Sequence, residues 1–128
     1  MPDEQILIVD DNATNLKLAR ILLQGEGFSV RTAIDAEDAL RLLAGFTPQL
    51  ILMDIQLPGM DGLELTRRLK ADARTRDIVV LALTAYAMKG DEAKARAAGC
   101  DGYIAKPIDI TALPLVVARH LALKAAQG

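Results

Sequence analysis

The run Leu50-Ile51-Leu52-Met53-Asp54, followed closely by Pro58-Gly59, decides the fold of this chain. The run is short, apolar up to its aspartate and bounded by turn residues, which is typical of a strand buried on both faces of a sheet. A carboxylate at the end of such a strand should lie where the buried sheet meets water. In open parallel sheets, ligands bind at this edge. The sequence therefore predicts a functional carboxylate at Asp54.

Three further apolar runs share this form, since each ends in polar residues: 6–9 before Asp10-Asp11, 79–83 before Thr84, and 103–105 before Lys106-Pro107. A shorter strand is predicted over Ser29–Ala33. Between the strands the apolar spacing is that of amphipathic helices. In the first of them the predicted apolar face is broad and comprises Leu16, Leu18, Ala19, Ile21, Leu22 and Leu23. We predict five helices: from an Asn12 cap to about residue 24, from an Asp35 cap to Gly45, and over Gly62–Ala71, 89–98 and 110–125. Strands that alternate with helices predict an α/β fold, with one parallel sheet covered on both faces.

Composition and charge limit the class of protein. The chain has 128 residues, of which 52% are hydrophobic and only 3% aromatic, so we predict a single domain, 1–128, with an aliphatic core. A formal net charge of −2 argues against general attraction to nucleic acid, so no direct DNA binding is expected. The only cysteine, Cys100, cannot form a disulfide within the chain, which favours a cytoplasmic location. No apolar stretch approaches the ~18 residues of a membrane span.

The polar residues after the strands predict a metal site. Asp10, Asp11 and Asp54 should lie within several ångströms of one another, and two carboxylates ~5 Å apart repel by roughly 3 kcal/mol at an effective dielectric of about 20. Such a cluster either raises a pKa or binds a cation. Because the ligands are oxygens with no His or Cys nearby, the expected ion is Mg²⁺, with Mn²⁺ as the alternative. Alone, Asp10-Asp11-Asn12 could equally be a helix-capping turn, but Asp54 at a second strand end favours the metal site.

Asp54 is the candidate nucleophile of this site. A carboxylate can accept a phosphoryl group and form an aspartyl phosphate. The transfer needs charge neutralisation on the phosphoryl oxygens more than covalent help. The Lys106 ammonium and the Thr84 hydroxyl can both contact those oxygens. Taken separately, Lys106 is most simply a solvated lysine and Thr84 an ordinary strand residue, but their joint placement at strand ends favours phosphoryl transfer.

In this order, the residues resemble the receiver domain of two-component response regulators: Asp10-Asp11 after an apolar strand, Asp54 with Pro58-Gly59-Met60-Asp61-Gly62, then Thr84-Ala85 and Lys106-Pro107. The resemblance covers essentially the whole chain. It implies a flavodoxin-like (βα)5 fold, a three-layer sandwich with five parallel strands in the order 2-1-3-4-5. It also implies a phosphorylation-activated signalling switch of a two-component or phosphorelay system. Such a switch is not a conventional enzyme, although it catalyses its own Mg²⁺-dependent phosphorylation and dephosphorylation.

The resemblance also implies a role for each site residue: Asp54 as phosphoacceptor, Asp10 and Asp11 as metal-site acids, Gln56 as donor of a backbone carbonyl to the metal, Thr84 and Tyr103 as the switch pair, and Lys106 as the phosphate-sensing lysine. A lysine aimed inward from a strand end needs a sharp reversal of the chain behind it. A cis Lys106-Pro107 bond supplies that reversal at only about 0.5–1 kcal/mol over trans. The resemblance implies the same isomer at Pro107.

A finer resemblance is to single-domain regulators of the DivK type and to receivers carried by hybrid sensor kinases. It rests on residues 50–58 and 87–92 and on Asp11-Asn12 with Asn15 and Lys17. It implies a sensor histidine kinase or a His-phosphotransfer protein as phosphodonor. Asn15 flanks the acid pocket and is expected to dock that donor, whereas Met88 and Lys89 are expected on a partner-contact face.

The downstream target is expected to be a separate protein, because no output segment follows the last helix. It should bind the face formed by the fourth helix, fifth strand and fifth helix. A receiver excised from a longer hybrid histidine kinase is the alternative.

Three rival classes fit the sequence less well than the regulator does. A flavin- or nucleotide-binding protein of flavodoxin-like fold would need a phosphate-binding loop after the first strand, where Asp10-Asp11-Asn12 repels phosphate. A metal-dependent phosphatase with an aspartate nucleophile would usually carry a second acid two residues later, where Gln56 stands. A phosphorylation-independent interaction module is opposed by the intact set of acids. The sequence therefore favours the regulator.

Overall fold

The computed structural model describes residues 4–84, 91–106 and 108–127, in which strands and helices alternate along the chain. In chain order the elements are β1 (Gln5–Val9), α1 (Ala13–Gly25), β2 (Ser29–Ala33), α2 (Ala36–Leu43), β3 (Leu50–Asp54), α3 (Gly62–Ala71), β4 (Val79–Thr84), α4 (Asp91–Ala98), β5 (Gly102–Ala105) and α5 (Ala112–Gln127). Within this described part of the chain, no helix combines the length and the apolar character needed to cross a lipid bilayer.

The strands form one parallel sheet in the order β2-β1-β3-β4-β5. The predicted flavodoxin-like arrangement is therefore confirmed. The register pairs Val9 with Met53 across β1 and β3. As a result Asp10, the residue after Val9, comes beside Asp54, the residue after Met53, at the carboxyl edge of the sheet.

Both faces of the sheet are covered, and every residue of β3 and β4 is buried. Because successive side chains of a strand point to opposite faces, Ile51 and Met53 belong to one apolar cluster, while Leu50 and Leu52 belong to another. The first cluster includes buried residues of α2, α3 and α4, and the second those of α1 and α5. Burial on both faces explains why the central strands are continuous apolar runs rather than alternating patterns.

Side-chain caps begin the first three helices. The carboxylate or amide oxygens of Asn12, Asp35 and Asp61 each accept a hydrogen bond from the backbone N–H three residues later, at 3.0, 2.8 and 2.8 Å. Such a cap stabilises a helix by about 1 kcal/mol. The caps at Asn12 and Asp35 confirm the prediction. The cap at Asp61 sets the start of α3 close to the end of β3.

The structure corrects two expectations about the helices. The last helix begins at Ala112 rather than at residue 110, because Pro114 has no N–H to donate to the Ile110 carbonyl. The Asp109 carboxylate caps the turn before the helix by accepting hydrogen bonds from the N–H groups of Thr111 (2.9 Å) and Ala112 (3.0 Å). In α1, Ile21 is 53% exposed although it was expected on the apolar face. The buried face of that helix is narrower and comprises Leu16, Ala19 and Leu23. Of the helix predicted over 89–98, the first two residues lie outside the described part of the chain.

Candidate functional site

Three aspartates meet at the carboxyl edge of β1 and β3. Asp10 and Asp11 directly follow β1, and Asp54 is the last residue of β3. One carboxylate oxygen of each lies within 4.8 Å of the other two. Asp10 and Asp54 are buried, with 0% and 3% exposure, whereas Asp11 is exposed. The cluster therefore meets solvent through Asp11.

Only one of the two Asp10 carboxylate oxygens accepts a hydrogen bond from the described residues. Its Oδ1 accepts a hydrogen bond from the Asn12 N–H at 2.9 Å. Its buried Oδ2 lies 3.1 Å from Lys106 Nζ, but among the described residues nothing donates it a hydrogen bond of acceptable geometry. A buried carboxylate oxygen without a donor is costly, and a cation is a natural partner for it. Asp10, Asp11 and Asp54 therefore fit a hard ion that prefers oxygen ligands.

Asp54 is held at both carboxylate oxygens. Oδ1 accepts a hydrogen bond from the Gln56 N–H at 2.9 Å, and Oδ2 accepts one from Lys106 Nζ at 3.1 Å. Burial raises the pKa of Asp54 above 3.8, and the nearby Asp10 carboxylate raises it further. The bonds from Gln56 and Lys106 lower the pKa without cancelling those effects. The protein therefore compensates the negative charge of the Asp54 carboxylate only in part.

Lys106 follows β5 and brings an ammonium group to two of the aspartates. Its Nζ lies 3.1 Å from both Asp54 Oδ2 and Asp10 Oδ2, and its side chain is only 13% exposed. Its backbone N–H donates to the Thr84 carbonyl at 2.7 Å, which ties the lysine to the end of β4. Burial lowers the pKa of Lys106, but the carboxylates of Asp10 and Asp54 outweigh burial and raise it above 10.5. The lysine is therefore charged at neutral pH.

Thr84 and Tyr103 lie on the same face of the sheet. Thr84 is the fully buried last residue of β4, and Tyr103 of β5 lies opposite Ala82 of β4. Side chains two residues apart on a strand share a face, so Thr84, Ala82 and Tyr103 face the side covered by α2, α3 and α4. There Tyr103 packs, half-buried, against the first apolar cluster. Thr84 and Tyr103 therefore lie on adjacent strands and on the same side of the sheet.

Residues 6–118 match the response regulator receiver domain family. The chain belongs to this family. The polar-differentiation response regulator DivK of Brucella anthropi is 47% identical to this receiver over 107 residues, which cover 84% of the chain and 87% of DivK. The resemblance to DivK-type single-domain regulators is thereby confirmed.

Solved structures show the same fold. A CheY-like receiver domain protein from Methanospirillum hungatei superposes with a TM-score of 0.91 at 29% identity, covering 98% of this receiver and 99% of that chain. A putative response regulator from Chloroflexus aurantiacus gives 0.90 at 32% identity, covering 94% and 98%. These similarities identify a signalling switch of a two-component system, in preference to the nucleotide-binding, phosphatase and phosphorylation-independent alternatives.

The remaining predicted site residues of the receiver are placed less centrally. Gln56 is exposed, two residues beyond Asp54. Asn15 lies in the first turn of α1, half-buried, with its N–H bonded to the Asn12 side chain at 3.0 Å. Pro107 lies outside the described residues, as do Met88 and Lys89. The predicted cis Lys106-Pro107 bond therefore stays a prediction.

The sequence assigned no separate role to Gly62, which appeared only as part of the motif after Asp54. In the receiver structure this glycine is buried and lies against the backbone of Asp54. The contact depends on how closely α3 approaches β3, which no spacing in the sequence reports. The only available signal was a glycine directly after the capping residue Asp61.

Proposed function

We propose that the chain accepts a phosphoryl group on Asp54 from the phosphohistidine of a sensor histidine kinase or a His-phosphotransfer protein. A carboxylate oxygen of Asp54 forms the new O–P bond. The N–P bond of the phosphohistidine breaks, and its electron pair stays on the imidazole nitrogen of the donor. Hydrolysis of the acyl phosphate by water later restores the carboxylate and releases inorganic phosphate.

One observation carries this proposal: the Asp54 carboxylate is buried at a strand end between two other aspartates and the Lys106 ammonium. Burial and the charge of Asp10 raise the pKa of Asp54. Positive charge beside Asp54 favours its ionised form, which is the form that attacks phosphorus. Lys106 supplies one such charge 3.1 Å from Asp54 Oδ2. Its ammonium group can bind the phosphoryl oxygens once the acyl phosphate has formed.

The acid cluster supports a role for Mg²⁺, with Mn²⁺ as a substitute. Asp10, Asp11 and Asp54 would hold the ion together with the backbone carbonyl of Gln56, and the unsatisfied Asp10 Oδ2 fits this assignment. When bound, the ion neutralises charge on the phosphoryl oxygens. The protein's own part is to orient the Asp54 carboxylate and to hold Lys106 beside it. On this view the domain promotes its own phosphorylation and dephosphorylation without turning over an external substrate.

The shared face of Thr84 and Tyr103 supports a switch. In this proposal, the Thr84 hydroxyl moves towards the phosphoryl group, and Tyr103 rotates into the space that it leaves. The surface of α4, β5 and α5 then changes and binds a separate downstream protein. Asn15 and α1, beside the acid cluster, dock the phosphodonor. We place this receiver domain, residues 1–128, in the cytoplasm.

Intact-mass analysis after incubation with acetyl phosphate tests the proposal. We expect the wild type to gain one phosphoryl mass with Mg²⁺ and none with excess EDTA. The Asp54→Asn variant should not gain it, whereas Asp77→Asn, a change at an acid that is 82% exposed and far from the cluster, should behave as wild type. Equal labelling of wild type and Asp54→Asn would refute the assignment of Asp54.

A further inference from the structure

Gly62, the first residue of α3, makes an unusually close contact with the end of β3. A Cβ built on Gly62 would overlap the carbonyl oxygen of Asp54 and would lie 2.8 Å from the Cα of Ile55. Both obstacles are backbone atoms, so neither can rotate away as a flexible side chain could. Only a residue without a Cβ allows α3 to start this close to the strand that carries Asp54.

Two hydrogen bonds hold this contact together. The Gly62 N–H donates to the Ile55 carbonyl at 3.3 Å. One turn along α3, the Thr66 hydroxyl donates to the Gly62 carbonyl at 2.7 Å, and Thr66 is fully buried. The peptide units on both sides of Gly62 are therefore tied, one to the chain after Asp54 and the other to the helix.

The position of the Asp54 carboxylate depends on this backbone. The carboxylate branches from the same residue whose carbonyl Gly62 touches. Its oxygens must meet the Gln56 N–H at 2.9 Å and Lys106 Nζ at 3.1 Å at once. In-line transfer demands close alignment of the reacting atoms, and a displacement of about 1 Å can reduce a rate on the order of 100-fold. A displacement of the Asp54 peptide that leaves β3 intact is therefore enough to slow the phosphoryl transfer.

We propose that Gly62 and Thr66 are positioning residues for Asp54, which set the distance between α3 and β3 and thereby aim the carboxylate. This inference rests on the proposed phosphorylation of Asp54. A threonine within a helix commonly bonds the carbonyl four residues back, so Thr66 could also serve packing alone. The two roles differ in whether the hydroxyl or the methyl group matters.

The first test compares Gly62→Ala with Gly45→Ala, because a Cβ on Gly45 meets no atom within 4 Å. We expect Gly62→Ala to lower the rate constant for labelling by acetyl phosphate at saturating Mg²⁺ by at least about tenfold, and Gly45→Ala to leave it unchanged. Irreversible loss of folded protein would reduce the labelled fraction, whereas a reversible loss of stability would lower the observed rate constant in proportion to the folded fraction. Val117→Ala, which removes buried methyl groups in α5 on the opposite face, provides a destabilised control with an undisturbed site.

The second test uses Thr66, so the question can be decided even where Gly62→Ala fails to fold. Thr66→Ser keeps the hydroxyl and loses the methyl group, while Thr66→Val keeps the shape and loses the hydroxyl. A positioning role predicts a near-normal rate constant for Ser and a several-fold lower one for Val. A packing role predicts the reverse order, and that result would overturn the inference for Thr66.

A spectroscopic measurement separates this inference from the proposed function. The Gln56 N–H donates to Asp54 Oδ1, so its amide resonance reports on the position of the carboxylate without any phosphorylation. We expect that resonance to shift in Gly62→Ala and Thr66→Val but not in Gly45→Ala or Thr66→Ser. If acetyl phosphate does not phosphorylate the wild type, the proposed function is wrong. A labelled wild type with normal rate constants and an unmoved Gln56 resonance in both Gly62→Ala and Thr66→Val would defeat the positioning role.

Discussion

The ammonium nitrogen of Lys106 lies 3.1 Å from a carboxylate oxygen of Asp54, although 52 residues separate the two in sequence. The same nitrogen lies 3.1 Å from Asp10 Oδ2. Lys106 therefore offsets part of the charge of two buried carboxylates before any phosphoryl group is present. Its position results from the sheet order, which sets β5 two strands away from β3 with only β4 between them.

Replacing Lys106 by Met should slow phosphorylation of Asp54 by acetyl phosphate at least about tenfold, because loss of one group that stabilises developing charge typically costs on the order of 100-fold or more. Met keeps most of the aliphatic stem but removes the ammonium group, so Asp10 and Asp54 lose their nearest positive charge. Labelling rates measured by intact mass at saturating Mg²⁺ check this. Lys94→Met, at an exposed position of α4, is the matched control. Equal rates for both variants would show that the ammonium group does not act in the transfer.

Mg²⁺ should raise the thermal unfolding midpoint of the wild type, and excess EDTA should reverse the increase. A ligand that binds only the folded state adds about 2.7 kcal/mol at a concentration 100 times its dissociation constant. Asp10→Asn should lose most of the increase, because Asp10 Oδ2 is the buried oxygen that lacks a hydrogen-bond donor among the described residues. Asp77→Asn should keep it. A full Mg²⁺ response in Asp10→Asn would remove Asp10 from the metal site.

The pH dependence of the free energy of unfolding should show that the pKa of Asp54 is raised in the folded protein. Burial, helped by Asp10, raises the pKa of Asp54 above 3.8 in the folded protein. The folded state therefore holds this proton more tightly than the unfolded chain does. The resulting stabilisation is fully present below pH 3.8 and is lost as the pH rises through the raised pKa.

Without Mg²⁺, Asp54→Asn should consequently gain stability relative to wild type as the pH rises from 4 to 7. A change of 1 kcal/mol moves the unfolding midpoint of a domain this size by roughly 3–6 °C, so thermal denaturation at the two pH values can detect it. Asp77→Asn serves as the control. A difference between Asp54→Asn and wild type that is the same at both pH values would contradict a raised pKa for Asp54.

Thr84→Ala should still be phosphorylated but should transmit the change poorly. The variant keeps Asp54 and Lys106, yet it lacks the hydroxyl that would bind the phosphoryl group. Amide shift maps with beryllofluoride should show changes reaching Tyr103 in the wild type, and much smaller changes there in Thr84→Ala. Wild-type shifts confined to Asp10, Asp11 and Asp54 would show that this switch does not operate.

Lys70 should matter for stability, although it lies far from the acid cluster. Its Nζ donates to the Ile78 carbonyl at 2.7 Å and to Asp101 Oδ2 at 3.0 Å, which joins the end of α3 to the start of β4 and to the turn before β5. Gly99, with φ of +107°, sits directly over the Lys70 stem. Lys70→Met keeps the stem but leaves these acceptors unmatched.

We expect Lys70→Met to lower the free energy of unfolding by about 1–3 kcal/mol, the usual contribution of hydrogen bonds made by a charged group. The side chain is only 21% exposed, so solvent screens the interaction incompletely. Urea denaturation measures the change, with Lys94→Met as the exposed control. A loss below about 0.5 kcal/mol, the range of ordinary surface substitutions, would show that water replaces these bonds without cost.

The sequence predicted the strands and the grouping of the polar residues because both depend on simple periodicity. A parallel sheet buried on both faces leaves continuous apolar runs, and its register brings the residues after β1 and β3 to one edge. The start of α5 could not be predicted in the same way. It depends on Pro114, which has no N–H for the Ile110 carbonyl, so the turn capped by Asp109 lacks one helical hydrogen bond.

Two features of the site depend on distances that no pattern encodes. The unsatisfied Oδ2 of Asp10 follows from the angle at which Lys106 approaches it, not from the presence of a lysine after β5. The contact of Gly62 with the Asp54 carbonyl follows from the spacing between α3 and β3. Residue types and order are readable from sequence, whereas tenths of an ångström between elements require the packed core.

The position of β2 and β5 at the two edges of the sheet has a consequence for how the protein behaves at high concentration. An exposed strand edge can recruit strands from other molecules and seed aggregation. In β2, the exposed Arg31 places its guanidinium 4.5 Å from the Phe46 ring, which sets a charged side chain along that edge. At the other edge, β5 has only four residues. Short length and positive charge both discourage added strands, so this sheet is poorly suited to growth from molecule to molecule.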